Sequence, residues 1–474
     1  MLHLLPIFSL AQANPVPTPT FTPRPISTPK LVVQPQEIRT LPGQLDKVPM
    51  FNSNSPEVVQ TEGILLSTFP STGRTFPKAH LNYGLVGRFD LFSHHIARSQ
   101  KRGDNRLLYQ GVIVYNPGSK PVTLDILQAV SYVTNPDAPF VDLPSYIDNA
   151  SGTVYAGPGS RLMNDILRGI HQADFPSQIV IPPKQSQMLF SLPITLGNCR
   201  STFMRLRSSE PVYMASLAMY ARPNLDAKKD DDLEKPLPLT PPSPPYRAPT
   251  PPEWEHLLNT GKLAEPRDRI PTPPHKGGGE IIYGRVAGVA QGSEWRSDVV
   301  DGLGRSDLSI PKRGKAFSYP ISTVPRVTFG TRQVQSAPML VRYPDTAYRA
   351  HGNYGVYYSL TLPLSNKTGQ AQTVTVAIQT PLKQEDREDK LRFLEPPDQQ
   401  VFFRGTVRIS YKDDSGTLQS RYVHLVQRRG QQGDPLIKLR MPPGDRRLVN
   451  VELLYPPDCT PPQVLTVRTL ELPI

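Results

Sequence analysis

The segment Arg342–Tyr358, RYPDTAYRAHGNYGVYY, sets five tyrosines, two arginines and one histidine within 17 residues. Aromatic faces stack on sugar rings and a planar guanidinium holds acidic groups, so Tyr348, Arg349, His351 and Tyr354 form a candidate contact strip for polysaccharide. The competing use of the segment is structural: Tyr357 and Tyr358 open a strand over 359–364, one ring inward and one outward. Arg428 and Arg429, beside His424 in VHLVQRRGQQGD, are a second basic candidate, read as a strand running into an exposed turn. Nucleic-acid binding would need a recognition module that is not evident here, and it is not expected.

Glycoside hydrolysis needs two carboxyls roughly 5–10 Å apart across the scissile bond. Asp142 and Asp148, in FVDLPSYID, and Asp125 come nearest to such a pair, with loop capping as the competing use. His94 and His95 are adjacent, so on a strand they face opposite ways and cannot share a metal without a distant ligand such as His80 or His171. The expectation is one histidine packed in the sheet and one on its surface, with no metal site and no cofactor. Phosphate-loop, zinc-protease, serine-hydrolase and EF-hand signatures are missing from the sequence. Cys199 and Cys459 lack metal-type spacing; in an oxidising compartment they could bridge the two halves of the chain, or stay free as loop thiols.

These groups must be positioned by a chain with 55 prolines in 474 residues. An interior proline costs a helix about 3 kcal/mol, which excludes a helical bundle or coiled coil. No apolar run approaches the ~18 residues of a membrane-spanning helix. A net charge of +12 favours anionic neighbours such as acidic polysaccharide or lipid head groups, or simply solvates the surface.

Composition divides the chain. Residues 1–13 read as a signal peptide, with an apolar run ending in Ala11-Gln12-Ala13, although no basic residue precedes it; either the start lies upstream or the signal is weak. Residues 14–30 are a proline–threonine spacer. Residues 223–279 are a proline-rich linker carrying a short helix near 252–261. Between and after them lie units at 31–222 and 280–474. In both, apolar residues alternate, as in GVIVYN (111–116), VYMASLAMY (212–220), QTVTVAIQ (372–379) and RYVHLVQ (421–427). Turn clusters separate these runs, so the fold class is mainly β, with two antiparallel β-sandwich-like units and few short helices. Helices are expected at SRLMNDILRGI, capped by Ser160, and at QEDREDKLRFL.

The units also align with each other. Tyr109–Ile126 lies over Ser359–Val376, with Asn116 on Asn366 and Thr123 on Thr373. Ile181–Leu206 lies over Met441–Thr466, with Pro182-Pro183 on Pro442-Pro443 and Cys199 on Cys459. An internal duplication is the expectation.

Three stretches carry a family resemblance: VVQPQEIRTLPGQLDKVPMFNSNSPEVVQTEGILLSTFP, YNPGSKPVTLDILQAVSYVTNPDAPFVDLPSYIDN and HLVQRRGQQGDPLIKLRMPPGDRRLVNVELLYPPD. They resemble an uncharacterised family of exported cyanobacterial proteins, a domain of unknown function. The resemblance covers both units and skips the linkers. It implies a cell-envelope setting and transfers no activity, cofactor or catalytic residue. The expectation is an exported protein, periplasmic or outer-membrane-associated. It would bind or support envelope polysaccharide, peptidoglycan or another envelope protein, without nucleic acid and without a transmembrane span. The alternative is a carbohydrate-active hydrolase with a carboxylate pair.

Overall fold

Leu360, Leu362 and Leu364 are each fully buried, while Thr361 and Pro363 between them are half-buried. That two-residue period is the signature of a strand with one face on a core, and it recurs through the computed structural model. The structure describes residues 28–101, 103–224, 246–276, 278–386 and 389–471. The expected signal peptide, most of the spacer and residues 225–245 of the expected linker lie outside them.

In chain order, the elements that matter here begin with Glu37–Ile38 (β1), Pro49–Ser53 (β2), Leu85–Ala97 (β3), Leu108–Tyr115 (β4) and Val122–Val133 (β5). The helix Pro158–Leu167 (α1) follows, then Gln178–Ile181 (β6), Ser186–Ile194 (β7) and Cys199–Tyr220 (β8). After Pro251–Thr260 (α2) come Ala316–Ile321 (β9), Tyr357–Ser365 (β10) and Gln372–Gln379 (β11). Ile437–Met441 (β12), Arg446–Leu454 (β13) and Gln463–Thr469 (β14) complete the set.

The two halves share one wiring. In the first, β2 runs parallel to β3, which pairs antiparallel with β8, then β5, then β6. In the second, β1 runs parallel to β9, which pairs antiparallel with β14, then β11, then β12. β4 pairs β7 as β10 pairs β13. The turn between the aligned strands is also repeated. Asn116 Nδ2 donates to the carbonyls of Lys120, Ile181 and Pro182, and its Oδ1 accepts from Gly118 N. Asn366 Nδ2 donates to Gln370, Met441 and Pro442, and its Oδ1 accepts from Thr368 N. A buried carboxamide with all its bonds made fixes where the hairpin meets the returning strand.

In the second half, Leu360, Leu362, Val449 and Val451 from one sheet meet Val374, Val376, Leu465 and Val467 from the other, a sandwich core. In the first half both layers are built on the 22-residue β8. Its start pairs β3 and β5, its end pairs β4, and its register against β3 breaks between Ser208 and Val212, where the strand changes layer.

Each half also completes the other's sheets. Lys30–Pro35 pairs with Lys390–Glu395, and Tyr146–Asp148 pairs with the strand Leu418–Arg428. In return, Ala287–Gln291 joins β2. Division at the proline-rich stretch therefore cuts across hydrogen-bonded sheets.

Several expectations change. Residues 246–276 fall within the expected linker, and the short helix expected there docks on the first half. α2 starts at Pro251, with Glu253 accepting from Thr250 N at 2.7 Å, and buries Trp254 and Leu258. The Trp254 ring lies on Gly111 of β4, where a Cβ would stand 2.8 Å from the indole. QEDREDKLRFL ends in a strand rather than a helix, because Leu391 and Phe393 alternate into a core and the partner edge is Lys30–Pro35. α1 is capped at Gly157, with Ser160 inside it.

Candidate functional site

Asn52 on β2 and Asn54 just beyond it are two residues apart, so they present their carboxamides to one side of the strand. Beside them β3 brings His94, and the loop after β13 brings Asp458 and Cys459. With Tyr354, these residues line a cavity of about 260 Å³ where the two halves meet. Glu57, Arg285, His351 and Lys383 complete its polar wall. Asp458 holds a left-handed backbone, with φ 62°, which turns the loop into the cavity.

His94 is the centre of the charge pattern. Its Nδ1 meets Ser201 Oγ at 2.8 Å, and its Nε2 lies 3.5 Å from Asp458 and 3.9 Å from Glu57. Burial opposes charging the ring, but the Cys199 sulfur and the Asp458 carboxylate outweigh it and hold the His94 pKa well above its ordinary value. Burial likewise opposes ionisation of Asp458, and His94 more than offsets this, leaving the Asp458 pKa below the usual range. Glu57 also pairs with Arg285, which reaches Asp268 at 3.3 Å.

The chemistry this allows is narrow. Cys199 Sγ is 3.5 Å from Nδ1 and 3.4 Å from Nε2 of His94, equidistant rather than in line with either nitrogen. Both nitrogens also have oxygen partners, and Cys199 does not line the cavity. Cys459 lines the cavity, but burial pushes its thiol up to about 12, which keeps it protonated. A glycosidase acid needs a carboxyl held protonated; Asp458 is shifted the other way.

The sequence candidates are partly gathered here. Tyr354 lines the cavity, donates to Cys459 O at 3.0 Å and has its hydroxyl pKa raised by burial. His351 also lines it, 4.8 Å from the Tyr283 ring, with a pKa lowered to about 4 by burial and then by Arg349. Tyr348, Arg349 and His351 line an adjoining groove of about 240 Å³, and the Arg342 guanidinium covers the Tyr348 ring at 3.8 Å. Tyr357 and Tyr358 are both buried, because the start of β10 is covered on both faces, Tyr357 by Phe203 and Leu454 and Tyr358 by the sandwich core.

Arg428 and Arg429 lie outside this cavity. Arg428 is exposed and its backbone N–H donates to Gln431, while Arg429 pairs with Asp398 at 3.0 Å. The segment is a strand running into an exposed turn, as expected, and His424 within the strand is fully buried with a pKa lowered to about 4. Asp148 pairs with Arg421 at 2.6 Å, Asp125 accepts from Gln178 at 2.7 Å and Asp142 is exposed; none lines the cavity. The carboxylates brought together are Glu57 and Asp458 instead.

His94 and His95 do face opposite ways, but both are buried; His95 bonds Ser53 Oγ at 2.9 Å and Pro56 O at 2.8 Å. His80 bonds Ser67 and His171 bonds Phe175 O, so neither joins them. Among the described residues no group of three or more His, Cys, Asp or Glu is placed to hold a metal ion. The bridge between Cys199 and Cys459 is not formed: both are buried free thiols, one against His94 and the other 3.3 Å from Arg404 N. Among the described residues no helix is long and apolar enough to cross a membrane.

Sequence reasoning missed Asn52, Asn54, Glu57 and Asp458. The i, i+2 asparagines of FNSNS were a visible signal. Nothing local placed Glu57 opposite Asp458. The family described as "Protein of unknown function (DUF3370)" matches residues 36–469. No curated protein matches the chain.

Proposed function

The chain belongs to this family of proteins of unknown function, and from that premise we propose that it is a non-enzymatic, exported binding module of the cell envelope. Its partner is anionic polysaccharide, peptidoglycan or another envelope protein. The observation that carries this reading is the composition of the cavity between the halves. Tyr354 and His351 from the aromatic segment meet buried carboxamides there, while Glu57, Asp458, His94 and Arg285 beside them are paired with one another. Such a wall supports recognition of a ligand. The proline-rich segments and the signal-like start support export and tethering, and the repeated wiring of the halves supports an internal duplication as the origin of the architecture.

Envelope fractionation followed by retention on isolated wall polymers tests this. We expect retention on peptidoglycan or an acidic polysaccharide. Recovery of protein partners alone, with no polymer retained, would reject the polysaccharide version. The convergence of Glu57 and Asp458 on one histidine favours a hydrolase as the second reading, and the same polymers decide it, since release of new reducing ends would establish cleavage. We expect none.

A further inference from the structure

Asn52 and Asn54 are 3% and 6% exposed, and the Oδ1 of each has no hydrogen-bond partner in the structure. Leaving a buried carbonyl unpaired costs about 1–3 kcal/mol, so two side by side on a cavity wall are acceptors waiting for a ligand. Most of the charges around them are engaged, Glu57 and Asp458 by His94 and Glu57 by Arg285, while the Lys383 ammonium lies over the Phe402 ring. What the cavity still lacks is neutral hydrogen-bond donors. A carboxamide offers an acceptor and a donor on one edge, which suits the neighbouring hydroxyls of a sugar ring, and Tyr354 and His351 supply flat apolar wall. At about 260 Å³ the cavity falls below the ~300–1,000 Å³ usual for larger ligands, so it holds one ring and not a run of chain.

Tyr283 and His351 line both this cavity and the adjoining groove. That groove carries Lys276, Arg326 and Arg349 and no carboxylate. Arg326 donates to Gly279 O at 2.7 Å and Arg349 to Ser336 O at 3.3 Å, so both are held in place by neutral carbonyls and keep their charge uncompensated. We infer that the two form one glycan end-site: the cavity takes a hydroxyl-rich terminal sugar ring, and the groove takes an anionic group on the next unit. The inference rests on the envelope-binding reading and specifies its ligand.

Calorimetric titration of the full chain tests it with three probes: a neutral hexose trisaccharide, the same with a uronic acid at the second unit, and the same with a sulfate ester there. The two acidic probes decide which anion is read. Asn52→Ala with Asn54→Ala should weaken all three at least tenfold without lowering the thermal midpoint, because the carboxamides removed carry unpaired acceptors. Arg326→Ala with Arg349→Ala should weaken only the acidic probes, by tenfold or more, and flatten their salt dependence. The site is overturned if the asparagine variant binds as the native chain does, or if its thermal midpoint falls together with binding. It is also overturned if the arginine variant weakens neutral and acidic probes alike, or if no probe binds. Retention of the unaltered chain on wall polymers alongside any of these outcomes would leave the envelope reading standing and the end-site lost.

Discussion

His80, His95, His351 and His424 are each held neutral by burial, with pKa values near 4. An unfolded histidine titrates near 6.5. As pH falls from about 6.5 toward 4, the unfolded chain takes up protons at four places that the fold refuses, and stability falls. His94 works in the opposite sense. Its folded pKa is raised, so its contribution is complete below about 6.5 and is lost as pH rises through the folded value. Denaturant midpoints should therefore peak near neutrality and drop toward pH 4.5. His94→Gln should flatten the alkaline limb and leave the acid limb in place, as read by fluorescence across pH 5–10.

At the scale of elements, α1 tests how tightly the halves close. A Cβ on Gly159 would lie 2.1 Å from Pro457 Cγ, in the loop that carries Asp458. Gly159→Val should cost about 1–3 kcal/mol as overpacking, visible as a lowered thermal midpoint. Trp254→Ala should cost about 3–5 kcal/mol as a core truncation; a linker residue would cost nothing. The strands of the repeated wiring were legible from alternation, and Asn116 and Asn366 were aligned from sequence alone. The three-carbonyl bond pattern they share makes that alignment physical. α2 was legible because Pro252 suits a helix start, Trp254, Leu257 and Leu258 share a face, and Gly261 marks the end. Lys390–Glu395 was not, because its strand depends on a partner some 360 residues away in sequence, and no local pattern encodes a distant edge. The cavity was half legible for the same reason: the aromatic segment announced itself, while Asn52 and His94, on neighbouring strands of the first half, meet Asp458 only through the closing of the halves.

For the whole molecule, Tyr343 is a rivet. Its hydroxyl donates to Ala79 O at 2.7 Å and accepts from Ser67 N at 3.0 Å, tying the second half to the first in a fully buried place. Tyr343→Phe should cost about 1–3 kcal/mol by stranding both groups, and calorimetry should show a lowered midpoint in a single transition, since the halves share sheets. Residues 280–474 expressed alone lack β1, Lys30–Pro35 and Tyr146–Asp148, and should fail to give a dispersed amide spectrum. Those borrowed strands also set a clock. Leu31 to Val33 are made some 360 residues before their partners at Arg392–Leu394. Long-range pairing of this kind is slow, and unpaired apolar edges invite wrong partners in the interval. This strand must therefore wait for its partner, and any factor that shields it during synthesis would shorten the dangerous stretch of the molecule's life.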